Sequence, residues 1–554
     1  MVSRDDVFRV LAGGVDLLVI GGGITGAGVA LDAATRRYRV GLVERADFAA
    51  GTSSRSTRLV HGGIRYLPQG HLRLVRDALR ERGRLLRLAP HLVHPLAFVV
   101  PLYAGARRPL GVRLPALARP LAPLGVRVGL TVYDLFARAP AFRHRRLSGD
   151  DLSRLAPDLR TAGLRSALLY YDARTDDVRL THAVLATARA HGATTVNYAE
   201  VTALLRQGAA VRGAAVLDRL TGRTIEVPAR AVVNATGIWA ERVAALDGPP
   251  SFRIRHSKGV HLVLRPQAVA ATAAIVIPET DDGRLAFLVP WGGRFVLGTT
   301  DEPYDGDLEA PVATAADVAY LLDHANRYLV RPLRPVDITA TYAGVRPLIA
   351  TAGGSTAALS RDHLVVTSPG GLVTVTGGKL TTYRKMAEDT VNVVAAREGT
   401  ARPCRTAALP LAGAAGLDNA RAALEAVALQ PEQRAHLLET YGSLASEVAA
   451  LVRDDPSLAA PLAQGLPHVA AEIVYACRAE QAVALADCLY LRTRLAVLDA
   501  RAADAAAVCA ARLMARVLGW DDAETARQLD AYRALRRRDD AALAAVPPAQ
   551  AASP

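Results

Sequence analysis

Residues 51–67 read GTSSRSTRLVHGGIRYL and combine several side chains that can take part in chemistry. The stretch holds a cluster of hydroxyl groups, His61 followed by two glycines, and the adjacent pair Arg65–Tyr66, with scarcely any acid nearby. An imidazole exchanges protons near neutral pH, and a guanidinium forms bidentate, charge-assisted bonds with phosphates and carboxylates. Such groups suit an anionic partner, whether nucleic acid, anionic lipid or a small substrate.

A glycine-rich turn near the N-terminus can hold a phosphate. Gly21, Gly23 and Gly26 fit the GxGxxG spacing directly after the apolar run at 15–20, and a second apolar run ends on Glu44. The order strand, glycine turn, helix, strand is a βαβ unit, whose glycines permit a tight turn and close approach of a pyrophosphate to the helix N-terminus. Glu44 stands where a carboxylate can accept hydrogen bonds from both hydroxyls of a ribose. The unit therefore predicts binding of FAD or NAD rather than NADP.

Later turns of small residues can bring the backbone close to the same cofactor. Short strands with turns at 207–208 and 221–222 indicate a hairpin or meander that leads into Ala235–Thr236–Gly237. Alone, such a turn is a common loop, but with an N-terminal GxGxxG it is typical of two-domain flavoproteins. Another apolar strand is followed by Gly377–Gly378 and a helix start.

The composition narrows the class of protein. The 554 residues are 51% apolar and 22% charged, which allows roughly two to four domains with a buried core. The net charge of +14 rests almost entirely on arginine, since only three lysines occur, and the alanine-rich background indicates a coding bias. Aromatic residues make up 5% and the arginines are dispersed, so we expect no nucleic-acid partner.

Cysteine usage and the N-terminus bear on where the protein works. The four cysteines lie far apart without metal-ligand spacing, so we expect reduced thiols in the cytoplasm and no bound metal. The N-terminus lacks the features of a secretory signal, and no segment approaches a membrane-spanning helix. Residues 105–146 contain nine arginines and one acid among Leu, Val and Pro, which fits either a contact with anionic lipid or a solvated face.

The motifs along the chain resemble those of FAD-dependent glycerol-3-phosphate dehydrogenases. In order they are GGGITGAG, GTSSRSTRLVHGGIRYL, APHLVHPLAFVVP, YYDARTDD, the ATG turn, PWGGRFVLGTTD, YAGVRPL, SRDHLVV and TGGKLTTYR, followed by YGS, YACRAE and ADCLYLRTRLA in the C-terminal part. The resemblance covers nearly the whole chain. One departure is that the family usually reads SSKSTK where this chain has Arg55 and Arg58, which puts a strict one-to-one role of these two residues in doubt.

The resemblance implies an α/β fold of the D-amino-acid-oxidase-like superfamily, with a Rossmann-like FAD-binding domain, a β-sheet substrate domain and a C-terminal α-helical domain. We expect an FAD-dependent oxidoreductase region at 1–400, a helical domain at 401–540 and a disordered tail at 541–554. Within the first region, the expected FAD-binding segments are about 14–100, 160–250 and 340–397, and the substrate-domain segments are about 101–159 and 251–340.

The resemblance also implies a reaction, namely oxidation of sn-glycerol 3-phosphate to dihydroxyacetone phosphate with reduction of FAD and transfer of electrons to membrane quinone. We expect the enzyme in the cytoplasm, in peripheral contact with the inner face of the cell membrane, and a homodimer is compatible with the sequence. A glycerol-3-phosphate oxidase using oxygen, or another oxidase of the superfamily, is the alternative. An NAD-dependent dehydrogenase would leave the later glycine motifs without a purpose.

The implied site residues fall into two groups. For the substrate we expect contacts from Arg65, Tyr66, Arg346, Arg361 and Lys379. His261 is the candidate general base because an imidazole titrates near neutral pH, while Arg346 and His61 are the other catalytic candidates. A satisfied core histidine and a surface arginine are the structural alternatives. The residues expected to contact FAD are Gly21, Gly23, Gly26, Glu44, Thr52, Ser53, Ser54, Ser56, Thr57, His61, Gly62, Gly63, Val201, Ala235, Thr236, Gly237, Gly377, Gly378, Lys379, Leu380 and Thr381.

Overall fold

The computed structural model describes residues 3–67, 69–106, 108, 111, 119, 121–350, 363–400 and 402–546. The strands are β1 (Val15–Ile20), β2 (Val40–Val43), β3 (Leu59–Val60), β4 (His94–Tyr103), β5 (Arg145–Arg146), β6 (Leu164–Arg174), β7 (Thr194–Val196), β8 (Ala199–Gln207), β9 (Ala210–Asp218), β10 (Thr224–Asn234), β11 (Ile254–Leu264), β12 (Ala274–Ile277), β13 (Ala286–Trp291), β14 (Arg294–Gly298), β15 (Glu302–Pro303), β16 (Ile338–Ile349), β17 (His363–Thr367) and β18 (Val373–Gly377).

The helices are α1 (Arg4–Ala12), α2 (Ile24–Thr35), α3 (Leu72–Leu88), α4 (Ala122–Ala137), α5 (Gly149–Leu155), α6 (Asp177–Ala190), α7 (Ala240–Ala244), α8 (Ala315–Asn326), α9 (Tyr383–Arg397), α10 (Leu417–Glu425), α11 (Pro431–Tyr441), α12 (Ala445–Asp454), α13 (Ala470–Ala479), α14 (Leu495–Leu498), α15 (Ala500–Leu518) and α16 (Asp522–Ala544). A π-helical turn spans Asp487–Arg492.

The first sheet contains the predicted βαβ unit. Its strand order is β17-β18-β10-β1-β2-β7, with β8 and β9 joined to β10 as an antiparallel meander, and β1 is parallel to both β2 and β10. β1 is apolar and buried apart from Asp16, because both faces of this part of the sheet are covered. Leu17 and Val19 face the core around α2, whereas Leu18 and Ile20 face a second core that includes residues of α1.

The second sheet has the strand order β15-β11-β14-β13-β12-β4-β6-β3, with β16 paired to β11 and β5 to β6. β11 lies between β14 and β16, so that His261 is opposite Gly298 on one side and Tyr342 on the other. Eight residues of β11, from Ser257 to Leu264, are buried in succession, because the strand is covered on both faces. This strand brings the candidate base into the interior.

The C-terminal helices form a core of their own that includes Leu437, Val448 and Ile473. This part of the chain is joined to the first sheet through buried ion pairs. Arg492 donates to both carboxylate oxygens of Asp47 at 2.5 and 2.9 Å. Arg179 and Glu480 form a second bidentate pair at 3.0 and 2.6 Å, and both side chains are buried. The C-terminal helices are therefore fixed to the preceding part of the chain by paired charges that are almost fully shielded from water.

Two expectations differ from the structure. The tail was expected to be disordered from residue 541, but α16 continues to Ala544 and Ala542 is buried in the core of the second sheet; residues 547–554 lie outside the described part. The expected FAD-binding segments also do not correspond to a single sheet. β4, β6 and β16 lie largely within those segments, but they pair within the second sheet. An apolar run indicates a strand but not the sheet that it joins. The arginine-rich stretch at 105–146, for which the sequence leaves a lipid contact and a solvated face open, contains α4.

Candidate active site

A cavity of about 730 Å³ lies between the two sheets, a volume within the range of roughly 300–1,000 Å³ that is usual for ligand pockets. It opens at the carboxyl ends of β1 and β2, where Ile20 and Val43 line it, as expected for a ligand site in an open parallel sheet. From the second sheet, His261 and Arg346 reach its other end. We call this space the central cavity.

Most of the predicted site residues line the central cavity. They are Gly21, Gly23, Glu44, Thr52, Ser53, Ser56, Thr57, His61, Gly63, Arg65, Tyr66, Val201, Ala235, Thr236, Gly237, His261, Arg346, Gly377, Gly378, Lys379, Leu380 and Thr381. Gly26, Ser54 and Gly62 do not line it, and Arg361 lies outside the described residues. Ser54 was expected to face the cofactor, but its hydroxyl donates to the Gly51 carbonyl at 3.1 Å.

The glycines of the GxGxxG turn allow close packing of the backbone. Gly21 has a φ of +110° and a Cβ there would lie 2.7 Å from the Ala235 carbonyl oxygen, while a Cβ on Gly26 would overlap the Gly21 carbonyl oxygen. The Ile24 amide donates to Ser53 Oγ at 2.9 Å. Gly26 therefore acts beneath the turn, as the glycine that lets α2 pack, and not through direct contact with the cavity.

Glu44 is held by backbone amides at the end of the cavity formed by β1 and β2, which we call the nucleotide end. Its carboxylate accepts hydrogen bonds from the Gly22 amide at 2.6 Å and the Ala46 amide at 2.9 Å. Burial raises the pKa of Glu44, and the two amide donors oppose that rise. A carboxylate has further lone pairs, so Glu44 keeps acceptor capacity toward a ligand.

The wall at residues 51–58 is tied to other parts of the chain. Thr52 Oγ1 donates to the Val345 carbonyl at 2.7 Å, and Ser56 donates to Asp177 through its amide at 3.0 Å and its hydroxyl at 2.7 Å. Arg494 of the C-terminal domain donates to the Ser54 carbonyl at 2.8 Å. The hydroxyl-rich stretch is thus a wall whose shape depends on residues up to 440 positions away in the chain.

His61 and the two glycines after it are held against a buried polar network. The His61 amide donates to Thr381 Oγ1 at 3.1 Å, and the Gly62 amide lies 2.9 Å from the Tyr133 hydroxyl and 3.0 Å from Asp172. Burial, together with the positive charges of Lys379 and other nearby cations, lowers the pKa of His61 to about 3. His61 is therefore a neutral imidazole at physiological pH.

Cationic side chains converge at the same end of the cavity. The Arg65 guanidinium donates to the Tyr66 hydroxyl at 3.0 Å, and the Lys379 ammonium lies 4.1 Å from the centroid of the Tyr66 ring. Arg346 donates to Asp301 at 3.1 Å and to Thr299 Oγ1 at 3.1 Å. Burial lowers the pKa of Arg346, and the charge of Arg65 adds to this effect. Cations placed this close together in a concave site favour an anionic ligand.

The other two lysines have structural partners. Lys258 is buried and donates to Asp317 at 2.7 Å. Lys385 pairs with Asp389 one turn later on α9. Neither lines the central cavity, so Lys379 is the lysine that the fold places at the site.

His261 is buried and has a defined set of neighbours. Its Nε2 lies 2.9 Å from Thr57 Oγ1, and its ring stacks on Tyr342 with 4.6 Å between centroids and 11° between planes. Burial lowers the pKa of His261 well below the usual value, and Arg346 and then Arg58 lower it further. The imidazole is neutral at physiological pH and can accept a proton from a ligand in the cavity.

Two family models match this chain. The model described as "FAD dependent oxidoreductase" matches residues 16–384, and that described as "C-terminal domain of alpha-glycerophosphate oxidase" matches residues 404–525. The glycerol-3-phosphate dehydrogenase 2 of Mycobacterium tuberculosis strain H37Rv is 40% identical over 530 residues, which cover 94% of this chain and 87% of the relative. The chain belongs to the FAD-dependent glycerol-3-phosphate dehydrogenase family.

Further relatives agree with this assignment. The human mitochondrial glycerol-3-phosphate dehydrogenase is 37% identical over 545 residues, covering 94% of this chain and 72% of the relative. The structure of the glycerol-3-phosphate dehydrogenase from Bacillus halodurans complexed with FAD matches with a TM-score of 0.79 and 31% identity over 97% of each chain. The L-alpha-glycerophosphate oxidase from Mycoplasma pneumoniae with FAD bound shares the fold, with a TM-score of 0.55, 17% identity and coverage of 71% of this chain and 96% of the other.

Membership in this family confirms the expected fold class and the expected cofactor, FAD. The residues present fit that cofactor on their own geometry. Gly21 allows the turn that a pyrophosphate needs, α2 begins at Ile24 without a side-chain cap from Gly23, and Glu44 lines the cavity with a carboxylate that could accept hydrogen bonds from a ribose. None of the helices in the described part of the chain combines the length and apolar composition that crossing a bilayer requires.

Reasoning from the sequence missed the residues that support the end of the cavity lined by His261 and Arg346, which we call the reaction end. Arg55 lines the cavity, but Arg58 does not; its guanidinium lies 3.5 Å from the centroid of a Trp291 ring and donates to the Tyr342 hydroxyl at 3.0 Å. The sequence leaves the roles of both arginines open, and the structure separates them, because of the two only Arg55 lines the cavity. The motif PWGGRFVLGTTD contains Trp291, and YAGVRPL contains Tyr342 and Arg346, but spacing does not show that their side chains meet residues 52–58.

Proposed function

We propose that the protein oxidises sn-glycerol 3-phosphate to dihydroxyacetone phosphate, with FAD as the hydride acceptor and quinone as the final acceptor of the electrons. The observation that carries the proposal is the convergence of Arg65, Arg346 and Lys379 around Tyr66 and His61 in a chain of this family. Several converging cations suit a phosphate dianion, whereas an amino-acid oxidase needs one carboxylate clamp.

Different residues of this chain would bind the phosphate, orient the reacting carbon and accept the proton. Arg65 and Lys379, with the Tyr66 hydroxyl, would hold the phosphate, and Arg346 would orient the carbon that carries the reacting hydroxyl. His261 would accept the hydroxyl proton, since its imidazole is neutral and buried. When bound, FAD supplies the hydride acceptor, and the protein supplies position and electrostatics. His61 is the second candidate for proton transfer.

The direct test mixes the purified, FAD-loaded protein with glycerol 3-phosphate in the absence of oxygen. Bleaching of the flavin absorption band is expected with glycerol 3-phosphate and not with glycerol or with amino acids. A flavin that stays oxidised with glycerol 3-phosphate but is reduced by an amino acid would contradict the proposed substrate.

The same reduced protein identifies the electron acceptor. The C-terminal match to an alpha-glycerophosphate oxidase domain makes oxygen the second candidate. A soluble quinone is expected to reoxidise the flavin much faster than air-saturated buffer does. Rapid reoxidation by oxygen, with hydrogen peroxide formed in equal amount, would establish the oxidase instead.

We also propose that α4 lies on the inner face of the cell membrane. Leu121, Leu124, Val128 and Leu135 are between 58% and 68% exposed and follow helical spacing, while Leu130 on the other face is buried. Exposed arginines at 127, 138, 143, 145 and 146 flank this apolar stripe. Apolar residues in a basic surrounding suit the interface of an anionic bilayer.

Flotation with vesicles of phosphatidylglycerol and phosphatidylcholine tests this surface. Leu124→Asp with Val128→Asp is expected to abolish flotation without changing flavin content, whereas Leu220→Asp, at a 47% exposed residue outside α4, is the matched control. Unchanged flotation of the double variant would exclude α4 as the contact. Light scattering of the same samples tests the homodimer that the sequence allows.

A further inference from the structure

We propose that Arg58, acting through Tyr342, is a positioning residue that holds the His261 imidazole in one orientation and in its neutral form. The inference rests on the proposed role of His261 as the base. Arg58 does not line the central cavity, whereas Ser56, Thr57 and Leu59 beside it do. The role of Arg58 therefore depends on the residues that its side chain contacts.

The Arg58 guanidinium is enclosed by aromatic rings. The residue is 1% exposed, and its guanidinium carbon lies 3.5 Å from the centroid of a Trp291 ring and 4.7 Å from the centroid of the Tyr342 ring. Among the described residues, no carboxylate lies within 4.0 Å of it, and its Nε and Nη2 have no hydrogen-bond partner. A buried cation without an ion pair is costly unless cation–π contacts stabilise it, so the rings and the charge define each other's positions.

Tyr342 connects this charge to the candidate base. Its hydroxyl accepts a hydrogen bond from Arg58 Nη1 at 3.0 Å and donates one to the Ser56 carbonyl at 2.9 Å. With both roles of the hydroxyl used, the ring cannot rotate freely. The face of this ring lies against His261, with 4.6 Å between centroids and an angle of 11°.

Thr57 completes the arrangement from the other side of the imidazole. Its Oγ1 lies 2.9 Å from His261 Nε2, and it follows Ser56 and precedes Arg58 in the chain. Arg58 has a left-handed backbone, with a φ of +59°, and its amide donates to Ser56 Oγ at 3.0 Å. Residues 56–58 thus hold His261 both directly, through Thr57, and indirectly, through Arg58 and Tyr342.

The charges around His261 favour its neutral form. Arg346 faces it from β16 and Arg58 from the 51–58 wall, and both disfavour an imidazolium. Asp176 and Asp177 lie beyond Tyr342, but they pair with Arg494 at 3.4 and 3.2 Å. The carboxylates near Tyr342 are therefore balanced by Arg494, and the positive field of Arg58 acts on the stacked rings.

The test uses the FAD-loaded enzyme with ¹⁵N-labelled histidine and four variants. In the wild type, His261 is expected to give the nitrogen signals of one neutral tautomer at pH 6, assigned by their loss in His261→Asn. In Arg58→Met these signals are expected to move toward those of an imidazolium or of mixed tautomers, while Arg58→Lys, which restores the charge, recovers the neutral form. Tyr342→Phe keeps the ring but loses both hydrogen bonds, so it is expected to give mixed tautomers.

Flavin reduction measured by anaerobic stopped flow gives the functional counterpart. Arg58→Met is expected to lower the rate constant of reduction at pH 6 by about tenfold or more, with an unchanged dissociation constant for glycerol 3-phosphate. Arg402→Met is the control, since Arg402 stacks on Tyr38 at 4.5 Å outside the cavity. Unchanged His261 signals and an unchanged rate in Arg58→Met would overturn the inference. If glycerol 3-phosphate reduces no flavin in the wild type, the proposed function fails, and the nitrogen signals still decide the role of Arg58.

Discussion

The two ends of the central cavity are built from different parts of the chain. At the nucleotide end the shape of the cavity is determined mainly by the backbone, at Gly21, at Gly26 and at the amides around Glu44. At the reaction end buried side chains define it, through the stack of Arg58, Tyr342 and His261. The first arrangement depends on the absence of side chains and the second on their exact contacts. Substitutions at the first end should therefore affect cofactor binding, and those at the second should affect rate and substrate binding.

The largest effect is expected for Gly26→Ala, since the added Cβ would overlap the Gly21 carbonyl oxygen. The turn would have to open, and we expect the protein to be purified without FAD or to fail to fold. Gly125→Ala on α4 is the control, because no atom lies within 4 Å of a Cβ there. The measurement is the ratio of flavin to protein absorbance, with circular dichroism for folding. Full FAD occupancy in Gly26→Ala would show that this end tolerates side chains after all.

His261→Asn is expected to show the opposite pattern. Loss of a general base typically lowers the rate by about 10²–10⁴-fold, while bound FAD should remain. The rate constant of flavin reduction is measured under anaerobic conditions, with His191→Asn, an exposed residue, as control. A rate within twofold of the wild type would remove His261 from the proposed role and leave His61 as the candidate.

Arg65→Ala should change substrate binding and leave the cofactor in place. A hydrogen bond to a charged group contributes about 1.5–3 kcal/mol, so the Michaelis constant for glycerol 3-phosphate is expected to rise roughly 10- to 100-fold. Arg73→Ala nearby on α3 is the control, since that side chain is 94% exposed. If the Michaelis constant stays the same, Arg65 does not contact the phosphate.

Glu44→Ala is expected to have the smallest effect. It removes the acceptor of the Gly22 and Ala46 amides, and FAD should dissociate about tenfold more readily. The dissociation constant is measured by flavin fluorescence during dialysis, beside Glu226→Ala, an exposed control on β10. For Glu44→Gln we expect an FAD dissociation constant between those of the wild type and Glu44→Ala. Retention of FAD equal to that of the wild type would argue against contact with the ribose.

The same contrast explains what could be predicted from the sequence. The βαβ unit and the meander before Ala235 follow from apolar runs and glycines that are close in the chain, and both were predicted correctly. The reaction end depends on contacts between distant positions, such as Thr57 with His261, which are 204 residues apart. Spacing in one sequence carries no information on such pairs. For that reason the sequence leaves the role of Arg58 open, whereas the structure places its guanidinium against Tyr342.

The bonds between Arg492 and Asp47 have a consequence for the order in which the molecule is completed. The two residues are 445 positions apart, so at about 5–20 residues per second Asp47 leaves the ribosome roughly 20–90 s before its partner. Arg494, which pairs with Asp177 and supports the Ser54 carbonyl, is made even later. During synthesis these acids keep their water, because burying them without a cation is unfavourable. The wall at residues 51–58 is thus finished last, when nearly all of the protein has been made.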